Sequence, residues 1–411
     1  MCAVRNCPIP ICRASDDPHL LMTTVSNENE IVDFVAVARE SRTPFEIVGG
    51  GTRRGAGKPM LGEGKPLPVL DVSGLTGIVE YQPEELIITA RPGTSLAELK
   101  AVLAEKNQCL GFDPVAWSLF GATGKPTLGG AASADASGSG RLRYGPPRDS
   151  LLGFRAVNGF GQAFRGGAKV VKNVTGFDLP KLMCGSFGTL GVLSELTFRV
   201  YPRASHRVTL MLRDQNPEKG FAALRTIWKS ALEPSGLAYI PASADLSLGD
   251  VGPENIGGGA ALIRFEAAQT VLAEKIAATK TLIGDVTLLE QGEAIFAAIG
   301  EGALFKASDL DVWRLSVPPS EAARVANALN APLWLGDWAG GLLWIGAEAQ
   351  DAPRIRAQAQ QAGGHAMLLR APAIRRAALG IFPPQSPALV AVTASVKAAF
   401  DPLGLFNPGR L

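Results

Sequence analysis

Histidine is nearly missing from this chain of 411 residues: His19, His206 and His365 are the only three, and they stand far apart. A metal centre or proton relay built on imidazoles therefore has no material, and no metal site is expected. Cysteine is scarce as well. Of five, Cys109 and Cys184 stand alone in apolar surroundings, so no disulfide framework is expected and the compartment should be reducing. The other three, Cys2, Cys7 and Cys12, crowd the start of the chain. They read either as part of an iron–sulfur or zinc site or as a disordered leader over 1–21, with Met22 as the natural first residue; the lack of a nearby fourth ligand and the intervening Pro8 and Pro10 favour the leader. No apolar run approaches the about 18 residues that span a bilayer, and no secretory signal opens the chain, so a cytoplasmic protein without a transmembrane segment is expected. Neither sign of charge dominates: 40 Lys plus Arg face 38 Asp plus Glu, which leaves no electrostatic footprint for nucleic acid. No G-x-G-x-x-G is completed, and Gly124-Lys125-Pro126 lacks both the earlier Gly and the Ser or Thr of a Walker A loop. Rossmann and P-loop nucleotide binding are disfavoured.

What the chain has in abundance is glycine, 47 residues, and proline, 29, set between apolar runs. That is the pattern of a loop-rich globular protein, long enough for more than one core. Ile31, Phe34, Val35 and Val37 predict a helix over 27–40, ended by Thr43-Pro44 and followed by a strand over 45–48. Strands are predicted over 70–72, 77–81 and 86–90, and Ser95 with Glu98 three residues on predicts a capped helix. A Gly/Ala/Ser tract fills 121–145, and strands over 153–158, 163–165 and 193–200 make a second small unit. Past Pro202 the pattern turns to strand-then-helix pairs, 261–265 into 267–283 and 312–317 into 320–329, with further strands over 342–346 and 367–369. The expected class is α+β: a first domain over 22–203 in two subdomains, a smaller α+β cap domain over 204–370, and a segment over 371–411 that packs back on the first domain.

Three small-residue stretches abut predicted strands. Gly49, Gly50, Gly51, Thr52 and Arg53 follow the strand over 45–48; successive glycines can converge their N–H groups on one anion, although a plain tight turn accounts for the same residues. The second stretch, Thr127-Leu128-Gly129-Gly130-Ala131-Ala132-Ser133-Ala134-Asp135-Ala136-Ser137-Gly138, reads as a loop whose backbone can touch a flat ligand. The third is Gly185-Ser186-Phe187-Gly188-Thr189-Leu190-Gly191-Val192. Together they suit one long ligand gripped mainly by backbone. Their order resembles the FAD-binding domain of the vanillyl-alcohol oxidase and p-cresol methylhydroxylase (PCMH-type) superfamily over 27–203. The run Gly166-Gly167-Ala168-Lys169-Val170-Val171-Lys172-Asn173-Val174-Thr175-Gly176-Phe177-Asp178-Leu179 is similar to the flavin subunits of glycolate oxidases, as is the closing Phe400-Asp401-Pro402-Leu403-Gly404-Leu405-Phe406-Asn407-Pro408-Gly409-Arg410.

The resemblance implies a PCMH-type two-subdomain FAD-binding domain with a substrate cap. It implies that Gly49, Gly50, Gly51, Thr52 and Arg53 bind the pyrophosphate, and that Asp113 and Pro114, with Thr127, Gly129, Gly130, Ala134, Asp135 and Gly138, line the flavin and its linker. Gly185, Gly191 and Val192 would close over the ribityl and adenosine side. The chain departs from many relatives in carrying Asp135 and Ser137 where they have Asn and Gly. It has neither His nor Cys at the places used for covalent attachment, which implies non-covalent FAD. Related 2-hydroxy-acid dehydrogenases carry a histidine-rich metal motif that this chain cannot form. The resemblance thus implies an accessory subunit for the oxidation of glycolate, or a similar 2-hydroxy acid, to glyoxylate. Its partners would be a homologous larger flavin subunit and an iron–sulfur subunit that takes the electrons, and only through them would it reach the inner face of the membrane. A self-sufficient FAD-dependent 2-hydroxy-acid dehydrogenase is the alternative. No catalytic residue is assigned. Lys169, Lys172 and Arg314 are cations that could tune a flavin, each readable also as a surface or salt-bridging charge; Trp313, Trp334, Trp338 and Trp344 could line a pocket or form a partner surface, with core packing the favoured reading.

Overall fold

The computed structural model describes residues 22–60, 66–122, 124–168, 177–244 and 258–411; Cys2, Cys7, Cys12, His19, Lys169 and Lys172 lie outside them. The first helix, Glu28–Ser41, forms where the apolar spacing predicts it. Asn27 caps it by accepting the Glu30 N–H, the Glu30 carboxylate accepts the Ser26 N–H at 2.7 Å, and Arg42 ends it in the left-handed region. Its buried stripe of Ile31, Phe34, Val35 and Ala38 packs with Phe45 and Leu70. Those two belong to or border a three-stranded parallel sheet in the order Met22–Thr24, Val69–Asp71, Glu46–Val48. A second subdomain is built on a five-stranded antiparallel sheet, ordered Ile78–Gln82, Ile87–Ala90, Val192–Arg199, Leu151–Val157, Ala163–Gly167. Ser95 caps the helix Leu96–Glu105, which buries Leu99 and Leu103 in that subdomain's core. Val157 and Val192 reach from the second sheet into the first subdomain's core and join the two.

Beyond Pro202 an eight-stranded antiparallel sheet forms the cap. Its order is Thr287–Leu288, His206–Leu212, Gly259–Ala267, Gly236–Pro241, Leu333–Asp337, Leu342–Ala347, Asp311–Ser316, His365–Arg370. The helices Pro217–Lys229, Gln269–Ile283, Ala322–Leu329 and Ala352–Gln361 bury one face. Alternation along a strand sends every second side chain to the opposite face. There Val312, Leu335, Leu342 and Trp344 meet Val115, Trp117 and Leu119 of the first domain and the helix Gly292–Glu301. The cap is thus anchored to the first domain by a shared apolar core.

After the helices Ala373–Leu379 and Pro387–Phe400 the chain returns to the first subdomain. Phe406 pairs in parallel with Phe45. The Phe45 N–H donates to Leu405 O and the Asn407 N–H to Phe45 O, at 2.9 and 3.0 Å. One buried carboxylate shapes this return: Asp401 accepts the N–H groups of Leu405 and Phe406 and the ammonium of Lys397.

Candidate functional site

The strand Glu46–Val48 delivers the triple glycine into a cleft between the two subdomains. No backbone N–H from residues 49–53 donates to a described residue, so among the described residues five consecutive donors of the cleft lining are unengaged. Gly51 is left-handed at φ 74°. Gly50 has a different constraint: a Cβ there would collide with the carbonyl of Lys125, and one on Gly124 with the carbonyl of Gly50, so the two loops interlock with no room for a side chain. A Cβ on Gly49 would press the Thr127 hydroxyl at 2.9 Å, and one on Gly129 would press Pro92 at 2.6 Å. Close backbone approach therefore extends from the glycine loop to the second tract.

That second tract is not the loop its composition suggests. Thr127 accepts the Gly130 N–H and caps a short helix, Leu128–Ala134, which ends with Asp135 in the left-handed region. The third stretch is stitched to the end of this helix: the Gly185 N–H donates to Ala132 O at 3.1 Å and the Phe187 N–H to Ser133 O at 2.8 Å. Asn407 of the returning tail then ties three pieces together. Its amide donates to Phe187 O at 2.7 Å, while its side-chain oxygen accepts the Ile47 N–H at 2.7 Å.

Three guanidiniums give the cleft a positive wall. Arg54 pairs with Glu46. Arg410 donates to the carbonyls of Arg53 and Arg54, and burial pushes its pKa down to about 10. Arg53 donates to Val115 O, lies 5.7 Å from the Trp117 ring centroid, and is likewise pushed to about 10 by burial, with Glu301 opposing the shift. All three remain cationic near neutral pH.

Of the residues singled out from the sequence, Gly49, Gly50, Gly51, Thr52, Arg53, Thr127, Gly129, Gly130, Ala134 and Gly191 line this cleft. Gly185 backs it through its bond to Ala132. Val192 faces away into the core beside Val157. Asp135 accepts the Arg148 N–H and lies 3.7 Å from Arg141, with burial raising its pKa. Asp113, Pro114 and Gly138 line a different cavity, against the cap: Asp113 accepts the Gly140 N–H and the Arg264 guanidinium at 2.6 Å. Glu46, Arg54, Phe187, Gly188, Asn407 and Arg410 line the cleft without having been singled out as ligands. The closing motif of the chain was the available signal for the last two.

The architecture matches folds already solved. The chain superposes on p-cresol methylhydroxylase with substrate bound at a TM-score of 0.69, with 15% identity over 95% of this chain and 88% of that one. For alkyldihydroxyacetonephosphate synthase the TM-score is 0.68, with 17% identity over 94% and 75%. The family model described as "FAD binding domain" matches residues 20–167. Fold and cleft thus define an FAD-binding oxidoreductase with the α+β, PCMH-type two-subdomain architecture, FAD being held non-covalently. The chain is 32% identical over 386 residues to glycolate oxidase subunit GlcE of Escherichia coli, covering 93% of this chain and 96% of that one, and it belongs to that family. Glycolate oxidase subunit GlcD of Bacillus subtilis is 27% identical over 52% of this chain and 44% of its own length. Among the described residues no helix is long and apolar enough to cross a membrane, and no group of His, Cys, Asp or Glu is arranged to hold a metal ion.

Proposed function

We propose that this chain is the FAD-binding subunit of a glycolate oxidase complex, oxidising glycolate to glyoxylate and passing electrons to a partner iron–sulfur subunit beside a homologous larger flavin subunit. The observation that carries the reading is the nearly end-to-end likeness to the GlcE subunit. The cleft fits the cofactor. Five unengaged N–H groups and the cations Arg53, Arg54 and Arg410 suit a diphosphate, and glycines admit it where a Cβ would not fit. Gly49, Gly50, Gly51, Thr52 and Arg53 hold the pyrophosphate in this reading. Thr127, Gly129, Gly130 and Ala134 run along the linker toward the flavin, with Asp135 just past it, and Gly185 and Gly191 support the opposite wall. Asp113, Pro114 and Gly138 stand apart from the cleft in the cavity against the cap, and Val192 lies in the core. When bound, FAD supplies the two-electron acceptor; the chain's residues position it and exclude water.

A self-sufficient 2-hydroxy-acid dehydrogenase is the second reading, favoured by 28% identity over 54% of this chain to the D-lactate dehydrogenase of Anaerostipes hadrus. One experiment separates the two. The FAD-loaded chain is precipitated with acid to test release of its flavin, and glycolate is added anaerobically with and without the partner subunits. Full release with bleaching only in the complex is expected. Bleaching of the chain alone supports the second reading, and a protein that cannot be loaded with FAD refutes both.

A further inference from the structure

Three charged side chains, Arg264, Asp337 and Arg314, stand on or beside the apolar face that the cap turns toward the first domain. Two of them find partners there: Arg264 pairs with Asp113 at 2.6 Å, and Asp337 accepts the Ser139 hydroxyl at 2.8 Å. The third does not. No hydrogen bond or ion pair reaches the Arg314 guanidinium from a described residue, and its Nε is buried without a partner. Aromatic rings surround it instead, with Trp344, Trp338 and Trp117 centroids at 5.1, 5.4 and 5.7 Å. A second cation, Arg141, lies 4.8 Å from the Trp338 centroid, so that one indole takes two guanidiniums.

The location points to the cofactor. Ala134 and Phe187, which line the cleft, pack on the same apolar cluster as Trp117, Trp338 and Trp344. Asp135, one residue past Ala134, is near enough for its charge to act on Arg314. The cage is also held in strained backbone: Trp117 and Trp338 have φ of 58° and 54°, a region bulky residues rarely enter. The Trp338 indole is pinned to the first domain by donating to Gly138 O at 3.2 Å. Burial pushes the Arg314 pKa down to about 10, with Arg141 adding to the shift, which leaves it charged at neutral pH. A charged, half-buried, planar donor whose Nε is buried with no acceptor among the described residues, framed by aromatic rings, is a site for a planar oxyanion.

Resting on the reading of this chain as a flavoprotein acting on a 2-hydroxy acid, we propose that Arg314, assisted by Arg141, binds the carboxylate of that acid beside the cleft wall formed by Ala134 and Phe187. Two sources could supply a planar oxyanion here, the substrate carboxylate and the pyrimidine edge of reduced flavin; the inference commits to the first.

The test uses the FAD-loaded full chain and oxalate, a planar carboxylate that cannot be oxidised as an alcohol, titrated while the visible flavin spectrum is followed. The wild type should show a saturable perturbation. Arg314→Met should weaken it about thirtyfold or more and Arg314→Lys by less, since an ammonium keeps the charge but loses the fork, with FAD content unchanged in both. Oxalate affinity unaltered in Arg314→Met, or a wild type blind to oxalate, overturns the proposal. So does loss of FAD from Arg314→Met with retention in Arg314→Lys, which assigns the cation to the flavin. If both variants fail to fold, Arg141→Met should still weaken oxalate binding, and an unchanged affinity there overturns the proposal. Oxalate binding without bleaching by glycolate in any combination of subunits removes the proposed substrate and leaves the carboxylate site standing.

Discussion

Asp401→Asn should loosen the returning tail and, through it, the floor of the cofactor cleft. The wild-type carboxylate is buried and its two oxygens take three donors: the Leu405 N–H at 3.0 Å, the Phe406 N–H at 2.8 Å and the Lys397 ammonium at 2.5 Å. The amide keeps only one acceptor oxygen. At least one buried N–H is stranded, a loss of about 1–3 kcal/mol, and the Lys397 pair loses its negative partner. Breaking a fully buried pair costs about 3–5 kcal/mol, but Lys397 is partly exposed and keeps its bond to Thr189 O, so this part falls to about 1 kcal/mol. A total of about 3 kcal/mol corresponds to roughly a hundredfold in the opening equilibrium of the tail. Hydrogen exchange reads this directly, and the informative amides are remote in sequence from the mutation. Those of Phe45, Ile47 and Lys58 donate to Leu405 O, the Asn407 side chain and Arg410 O respectively. They should exchange roughly a hundredfold faster if opening is local and rapid. Phe45 and Ile47 exchanging within about threefold of wild type in a folded variant would refute the reasoning.

Gly50→Ala places a Cβ against the Lys125 carbonyl. Overpacking of this kind costs about 1–3 kcal/mol; the loops must part, and FAD affinity measured by flavin fluorescence should fall about ten- to a hundredfold with the fold retained. Unchanged affinity would show that the loop does not meet the cofactor. Asp337 gives a pH signature. Burial raises its pKa to about 7, so between the unfolded value near 4 and the folded value the native state keeps a proton that the unfolded state releases, and stability falls as pH rises through that window. Asp337→Asn, which cannot ionise, should melt higher than wild type at pH 8, with the gap closing toward pH 4. A gap independent of pH in thermal melts would assign the effect to packing.

Much of the fold was legible because its signals are local. The helix Glu28–Ser41 announces itself by Asn27 and by apolar residues on one face, and Ser95 marks the next helix start. The helix Leu128–Ala134 was not legible. Leu-Gly-Gly-Ala-Ala-Ser-Ala has no amphipathic stripe, and its two glycines oppose helix locally; the Thr127 cap and packing against Pro92 and the Gly185 turn hold it. The position of Arg314 followed half-way. The strand over 312–317 was legible, and period-two alternation along it sets Arg314 on the face opposite Trp313 and Leu315, but that face is covered only because the segment carrying Trp117, some two hundred residues earlier, packs on it. The wall made by Asn407 and Arg410 depends on the same kind of long-range return, which a motif hints at and only the pairing of Phe406 with Phe45 places.

That return makes tail docking and cofactor binding a single equilibrium. Asn407 bridges Ile47, in the strand that launches the glycine loop, to Phe187, which lines the cleft, and Arg410 donates to the consecutive carbonyls of Arg53 and Arg54 just past the glycines. Any ligand that needs the loop and the Phe187 turn in their docked positions binds the docked tail more tightly than the loose one. Linkage is reciprocal: whatever factor the docked tail adds to FAD affinity, FAD must add to tail docking. Saturating FAD should therefore slow exchange at Phe45 and Ile47, and slow it by a larger factor in Asp401→Asn, where more of the unliganded population is open. Equal protection with and without FAD in that variant would mean that Asn407 and Arg410 frame the cleft without feeling its occupant.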